Sequence, residues 1–578
     1  MGIWRGARRA IVLVALLGTA CSGAQGARPA ADTAAGQSAA SSQPTGPKRV
    51  TAAIMSEPGV LSWKLSEGDN LRAGLDTVEP LIIVGMVAAD NQGVLRPILA
   101  EAVPSTDNGL WKVNADGTME TTWHIRQGAQ WHDGTPVTSA DFVFTANVVT
   151  DPELPAVRDA RYRFLDRVEA PDPRTVVARW KQPFVEADAM FGGDLALPLP
   201  KHLLGGTYTD AKSSLFELPY WNEQFVGTGP FKVTTFERGS HVLLEANPNY
   251  VLGRPKIDQI DVRFILDSNA LVANVLSGVV ELTLGRSISV EQGLDVRDRW
   301  RDGQVPVAPV NFLRLIPQFI DPTPAISSNL DYRRALLYAI NRQEMVDTLM
   351  YGTTTVAHSF MDPGQASYKA IEDSQVVRYD YDARKAAQTI ESLGYAKDAS
   401  GFYQAADGSG PLTQDVLVSA SQEINVKSMY AVADYWQRLG ITVNRVVEPT
   451  QMSGAQRTVY EATRPGFFLT RQGGDTGNFP RLYSTEVPLQ ENNYRGSNAA
   501  RYQSKELDTL LDRYYVTIPL PERTELIGQI IHHISDQLVL LPLFYGAEPI
   551  AVGNRIQNMT PRSSKATQAW NATDWDVK

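Results

Sequence analysis

The side chains best equipped for metal ligation or nucleophilic attack are few: seven histidines and one cysteine in 578 residues. His124, His132, His202, His241, His358, His532 and His533 include no pair four residues apart, the spacing that puts two ligands on one helix face. His532 and His533 are adjacent and point to different sides of a helix. A single cysteine builds neither a thiolate cluster nor an internal disulfide. The sequence also lacks the Gly-x-Ser-x-Gly elbow, the His-Glu-x-x-His zinc helix, the Walker phosphate loop and the Gly-x-Gly-x-x-Gly fingerprint. Among 64 acidic residues some proximity is unavoidable, so Asp133 and Asp141 carry little weight as an acid–base pair. His132-Asp133 has the form of a dyad, but Asp133-Gly134 makes a tight turn, and Thr138 with Asp141 three residues on makes a helix cap. The chain reads as a non-enzyme, with no metal site and no cofactor.

The elements that would position any site follow helical and extended patterns in alternation. One helix is expected from an Asp331 cap through Leu336, Ile340, Met345 and Leu349, stopping at Gly352. A second starts at Asp382 and stops at Gly394; a third runs from about Val426 through Trp436, a core residue, to Leu439, with Gly440 beyond it. Ile441–Val447 alternates as a strand, and Val50–Ile54 as a first strand. This order argues α/β layers. Residues 120–185 differ: Thr121–Arg126, Gln130–His132 and Arg174–Trp180 suggest a β-rich insertion.

Composition is that of a globular protein: 63.5 kDa, 43% hydrophobic, 20% charged. The net charge of −10 becomes −13 once Arg5, Arg8 and Arg9 leave with the leader, which argues against nucleic acid as a partner. That leader, residues 1–20, has a basic start, an apolar run Ala10–Leu17 and the small residues Gly18, Thr19 and Ala20. Cys21 follows directly. The arrangement resembles the lipobox of bacterial lipoproteins, with Gly18 where that family usually has Leu, and implies a lipid anchor at Cys21. Residues 21–48, rich in Ala, Ser, Gly and Gln, read as a disordered tether.

The segment from Trp123 to Phe144, with Trp131-His-Asp-Gly-Thr-Pro136 at its centre, resembles the signature of the family 5 extracellular solute-binding proteins, the peptide- and nickel-type subunits of ABC importers. Val226-Gly-Thr-Gly-Pro-Phe-Lys232, Glu245-Ala-Asn-Pro-Asn-Tyr250, Ser277–Glu281, Asp331–Arg342, Tyr381–Ala386 and Leu439-Gly-Ile441 are similar to further landmarks, in family order. The resemblance implies a type II periplasmic-binding fold, α/β, with two hinged lobes and an extra β-rich subdomain inserted in lobe I. Its expected boundaries are 49–77, 225–312 and 543–578 for lobe I, 78–224 for the insertion, and 313–542 for lobe II.

The resemblance implies capture of an oligopeptide or similar elongated polar solute by lobe closure and delivery to an ABC permease. The protein would be a monomer in the periplasm or on the outer face of the cell membrane. A binder of another solute, such as an oligosaccharide or metal chelate, and a sensor lipoprotein stay open beside it. In peptide-binding relatives an Asp in a Trp-x-x-Asp-Tyr-x-Asp-Pro-like loop anchors the peptide ammonium. The corresponding stretch here, Phe467–Asn478, keeps Asp475 but lacks the Trp, the Tyr and the Asp-Pro pair. Asp475 reads equally as an Asx-turn residue. Arg471 could pair a ligand carboxylate or phosphate, or stay solvated. Glu57, after the first strand, and Phe544 and Tyr545, near the return crossing, complete the candidate ligand contacts; for Phe544 core packing is the competing role.

Overall fold

A computed structural model describes residues 46–62, 64–65, 74–154, 159–193, 195–285, 287–365, 368–419, 423–448, 454–560 and 567–578. The leader, Cys21 and the tether up to residue 45 lie outside the described residues. Pro47–Lys578 forms one compact unit. Lys48, at the expected end of the tether, is already tied in: its ammonium pairs Asp576 at 2.5 Å.

Lobe I is built on a seven-stranded sheet with Arg49–Ile54 near its middle, flanked by Gln259–Phe264 and Leu282–Thr283, both parallel to it. The run Val50, Ala52, Ala53 and Ile54 is buried on both faces, which explains why it reads as small and apolar rather than alternating. Two helices behind it carry ordinary caps: Asp267 accepts from the Ala270 amide, and Ser289 exchanges bonds with Gln292.

The β-rich insertion is a separate antiparallel sheet of four strands, Trp111–Val113, Met119–His124, Thr175–Trp180 and Leu165–Asp172. Gln130–His132, expected as extended, contributes only an isolated bridge from Gln130 to Pro136.

Lobe II has a five-stranded sheet in the order Thr442–Val447, Thr413–Val418, Phe467–Gln472, Val307–Ile316 and Leu541–Pro549. The last two strands pair antiparallel along most of their length. They lead to the lobe I sheet through residues 305–306 and 550–551, the two connections between the large sheets.

The helix expected from Asp331 to Leu349 is two helices, Leu330–Tyr338 and Arg342–Leu349. Asn329, not Asp331, caps the first, and Asn341 caps the second by accepting from the Glu344 amide at 3.1 Å. A side chain that can satisfy a helix N-terminus in the middle of an apolar pattern breaks it there. The other two helices form as expected: Asp382 caps Ala383–Ser392, and Glu423–Leu439 buries Trp436, which donates to the Leu336 carbonyl at 2.9 Å. Gly394 and Gly440 both end their helices at positive φ. Among the described residues no helix is long and apolar enough to cross a membrane.

Candidate functional site

The Trp131–Pro136 motif is a clamp. Gly134 takes φ +91° in the turn, and the Asp141 carboxylate accepts from the Thr138 amide at 2.9 Å and the Lys201 amide at 3.0 Å, tying two helix starts together. His132 reaches across to the second motif. Its Nδ1 accepts from the Gly227 amide and its Nε2 faces the Gly229 carbonyl, both at 3.1 Å, so the proton sits on Nε2. Burial depresses the His132 pKa to about 4, aided by Lys232 and opposed by the Gly229 bond and Asp133. The Thr228 hydroxyl donates to the Val84 carbonyl at 2.7 Å and accepts from its amide at 3.0 Å. A Cβ on Gly227 or Gly229 would stand 2.0 or 2.4 Å from Ile82 backbone atoms, hence the two glycines. These residues hold the insertion to lobe I.

Register divides the lobe II sheet into two unlike faces, because directly opposed residues of antiparallel strands point the same way. Leu313, Leu315, Phe467, Leu469 and Phe544 share one face and are fully buried in the lobe II core. Phe544 packs in the lobe II core, the role that competed with ligand contact in the sequence reading. Arg471 pairs with Leu313 and shares that side of the strand. The other face carries Arg314 opposite Thr470 and Phe312 opposite Gln472, and Arg314, Phe468, Thr470 and Gln472 all keep part of their surface in solvent. Tyr545 is also on this face but is buried, donating to the Met361 carbonyl at 2.7 Å. The bond ties the strand to Met361, which is a structural use of the hydroxyl. Glu57 is half-buried in the loop after the first strand, in lobe I.

Asp475 begins the turn Thr476–Leu482 and accepts from the Gly477 amide at 2.8 Å. The residue before it must be glycine, since a Cβ on Gly474 would lie 2.5 Å from the Phe360 carbonyl oxygen. The Asx turn weighed for Asp475 is thus present. That turn delivers Arg481, which is solvent-exposed while protein surrounds it closely enough to lower its pKa by burial, against attraction from Asp159 and Asp475. Arg314 is pushed down to about 9 by burial and by two like charges, Arg481 and Arg464.

The insertion supplies the opposite wall. Arg161 pairs Asp159 at 2.7 Å and Glu186 at 2.9 Å. The walls touch directly: the Val185 amide donates to the Tyr515 carbonyl at 2.8 Å, Tyr515 packs against Phe164 and Phe184, and Arg163 lies over the Tyr483 ring. Lys427 of lobe II pairs Glu291 of lobe I at 3.5 Å. The lobes are closed on one another. Sequence reasoning missed Arg314, Gln472, Arg481, Asp159 and Arg161. Arg314 had a signal, as the one charge in the apolar run Asn311–Ile316. Among the described residues no group of three His, Cys, Asp or Glu could hold a metal ion.

A family model for the middle region of the bacterial extracellular solute-binding proteins, family 5, matches residues 95–488. A Brucella ovis protein named as an ABC transporter peptide-binding protein is 28% identical over 358 residues, which are 62% of this chain. The chain spans 60% of the length of that relative. The oligopeptide-binding protein AppA of Bacillus subtilis is 24% identical over 507 residues, 87% of this chain and 86% of its own. The structure of Bacillus subtilis AppA in complex with a nonapeptide matches with a TM-score of 0.74 at 19% identity, over 93% of this chain and 100% of that one. NikZ from Campylobacter jejuni, in complex with Ni(L-His), also gives 0.74, at 20% identity over 91% and 99%. These likenesses establish the expected fold, two lobes with an added subdomain. Because the family model covers well over half of the sequence, the chain belongs to the bacterial extracellular solute-binding proteins of family 5.

Proposed function

We propose that this protein is the extracytoplasmic substrate-binding component of an ABC importer. It captures an oligopeptide or similar elongated polar solute between its lobes and hands it to a membrane permease. One observation carries the reading: the side of the lobe II sheet away from its core carries polar side chains, Arg314, Thr470 and Gln472, that each keep part of their surface in solvent. The hinge is assigned to residues 305–306 and 550–551, so that 307–549 move as lobe II against 47–304 and 552–578. A ligand bridging the two walls adds its binding energy to the closed form alone and shifts the population towards it. The protein acts as a monomer without catalysis, exported and held at the membrane by a lipid on Cys21.

The Asp475 carboxylate, expected as the peptide anchor, caps its own turn and attracts Arg481. A non-peptide solute is the second reading, favoured by the same observation. Native mass spectrometry of the full chain, purified without denaturation, tests both. A ladder of adducts at peptide masses supports oligopeptide capture, and one discrete non-peptide adduct supports the second reading. Covalent turnover of a bound molecule would overturn the binding-protein assignment.

A further inference from the structure

The lobes meet at contacts of unequal strength. Lys427 of lobe II reaches Glu291 of lobe I at 3.5 Å, but the same ammonium is closer to Glu423 of its own helix, at 2.8 Å, and all three side chains are exposed. A shared surface pair of that kind contributes little. The seam between the insertion and helix Lys505–Val516 of lobe II is of another kind. Phe164 and Phe184 of the insertion stack at 4.8 Å between ring centres, and Tyr515 of lobe II lies 5.5 Å from the first and 6.0 Å from the second. Tyr483 stacks in turn on Tyr515, at 6.4 Å and 19°. All four rings are buried. Arg163, whose side chain is 39% exposed, sits where this seam meets solvent. Its guanidinium lies 4.7 Å from the centre of the Phe164 ring and 4.3 Å from that of Tyr483. The Tyr483 hydroxyl donates to Asp512 at 2.9 Å, and Arg163 approaches the same carboxylate oxygen at 3.5 Å.

We infer that Arg163 is the pin of an interlobe latch, bridging the ring of Phe164 to that of Tyr483, and that this seam holds the protein closed by contacts the chain makes with itself. Solute then enters and leaves by transient parting of the seam. The latch stands on the contacts alone; its consequence for solute entry rests on the reading of the protein as a solute-binding component. Opening at the hinge carries Tyr483 and Tyr515 away with lobe II. Phe164 and Phe184 stay with the insertion, which the His132–Gly227 bond fastens to lobe I. Four rings packed as in a core are then wetted together, and Arg163 keeps one ring of its two. A guanidinium suits the pin because it is flat, always charged, and stacks on ring faces while its edge stays in water. The exposed pair with Asp512 orients the fork and adds little by itself.

Val185 reports the state of the seam. Its amide donates to the Tyr515 carbonyl at 2.8 Å across the interface, so it exchanges with solvent when the lobes part. The test is hydrogen exchange of the full chain, shown by native mass spectrometry to carry no adduct, followed at Val185 and in the insertion strand Met119–His124. In wild type Val185 exchanges at least about a hundredfold more slowly than an unstructured amide. Arg163→Gln speeds Val185 about fivefold and leaves Met119–His124 unchanged. Arg163→Lys does nearly the same, since lysine keeps the charge beside Asp512 and loses the flat stack. Asp512→Asn changes the rate by less than about twofold. Free exchange at Val185 in the adduct-free wild type means that the lobes stand open; it overturns the inference and leaves the binding-protein reading intact. A Val185 rate that neither Arg163 variant changes overturns it too. If Met119–His124 speeds up together with Val185, Arg163 supports the fold of the insertion and is no latch.

Discussion

Acid should loosen the attachment of the insertion through one residue. His132 is buried in its neutral form, with Nδ1 accepting from Gly227 and Nε2 donating to Gly229. Protonation puts a second N–H on Nδ1, opposite the Gly227 amide, so the bond is lost and a charge is stranded. The folded pKa of about 4 lies below the unfolded 6.5. The stability this depression contributes is complete above about pH 6.5 and is lost as pH falls through about 4. A difference of about 2.5 units sets the whole effect near 3 kcal/mol, of which roughly 2 kcal/mol disappears between pH 7.5 and pH 5. The assay is urea unfolding followed by tryptophan fluorescence, with wild type compared with His132→Gln at several pH values. Buried Trp123 and Trp131 flank the clamp and report on it. Other groups titrating in this window, such as His358, also lowered to about 4 by burial and nearby arginines, contribute equally to both proteins and cancel. The wild-type transition falls more steeply with acid than that of the variant, and the two converge near pH 5. Parallel pH dependence in the two proteins would refute the reasoning.

The glycine of the partner motif is equally exposed to test. Gly229→Ala drives a Cβ to 2.4 Å from the Ile82 carbonyl carbon, and since backbone does not yield as a side-chain tip does, a loss of more than about 3 kcal/mol is expected in the same unfolding assay. Tyr515→Ala acts on closure: it removes a buried ring that packs across the lobes against Phe164 and Phe184. A loss of about 2 kcal/mol there shifts the closed-to-open ratio about thirtyfold, visible as a larger radius of gyration in solution scattering. An unchanged radius would mean that this contact is not broken on opening.

The fold was legible wherever a local rule decided the outcome. Gly134, Asp141, Asp382, Gly394 and Gly440 all do what their chemistry and spacing indicated, because turns and caps are settled by a few neighbouring residues. Asn341 shows the limit: its helix-breaking side chain sits inside an otherwise continuous apolar pattern, and the pattern won the reading while the cap won the structure. The His132–Gly227 bond joins positions 95 apart, so each motif was readable by itself and their union was not. At the candidate site the missing information was register. Phe544 and Tyr545 are neighbours in sequence and differ only in which face of the sheet they occupy, which is decided by pairing with Leu313 and Phe312.

The division between legible and illegible residues follows from how each is satisfied. Motif residues such as His132, Thr228 and Asp141 are buried with their hydrogen bonds made inside the protein, so the fold itself demands their identity. Arg314 and Gln472 are the reverse: on the other face of the lobe II sheet, each with a buried polar atom that finds no partner among the described residues. A residue whose partner is a solute can be exchanged when the solute changes, at no cost to the core behind it, because Leu313, Leu315 and Leu469 on the other face of the same strands keep the sheet packed. Two strands thus pack the core with one face and carry partly exposed polar side chains on the other.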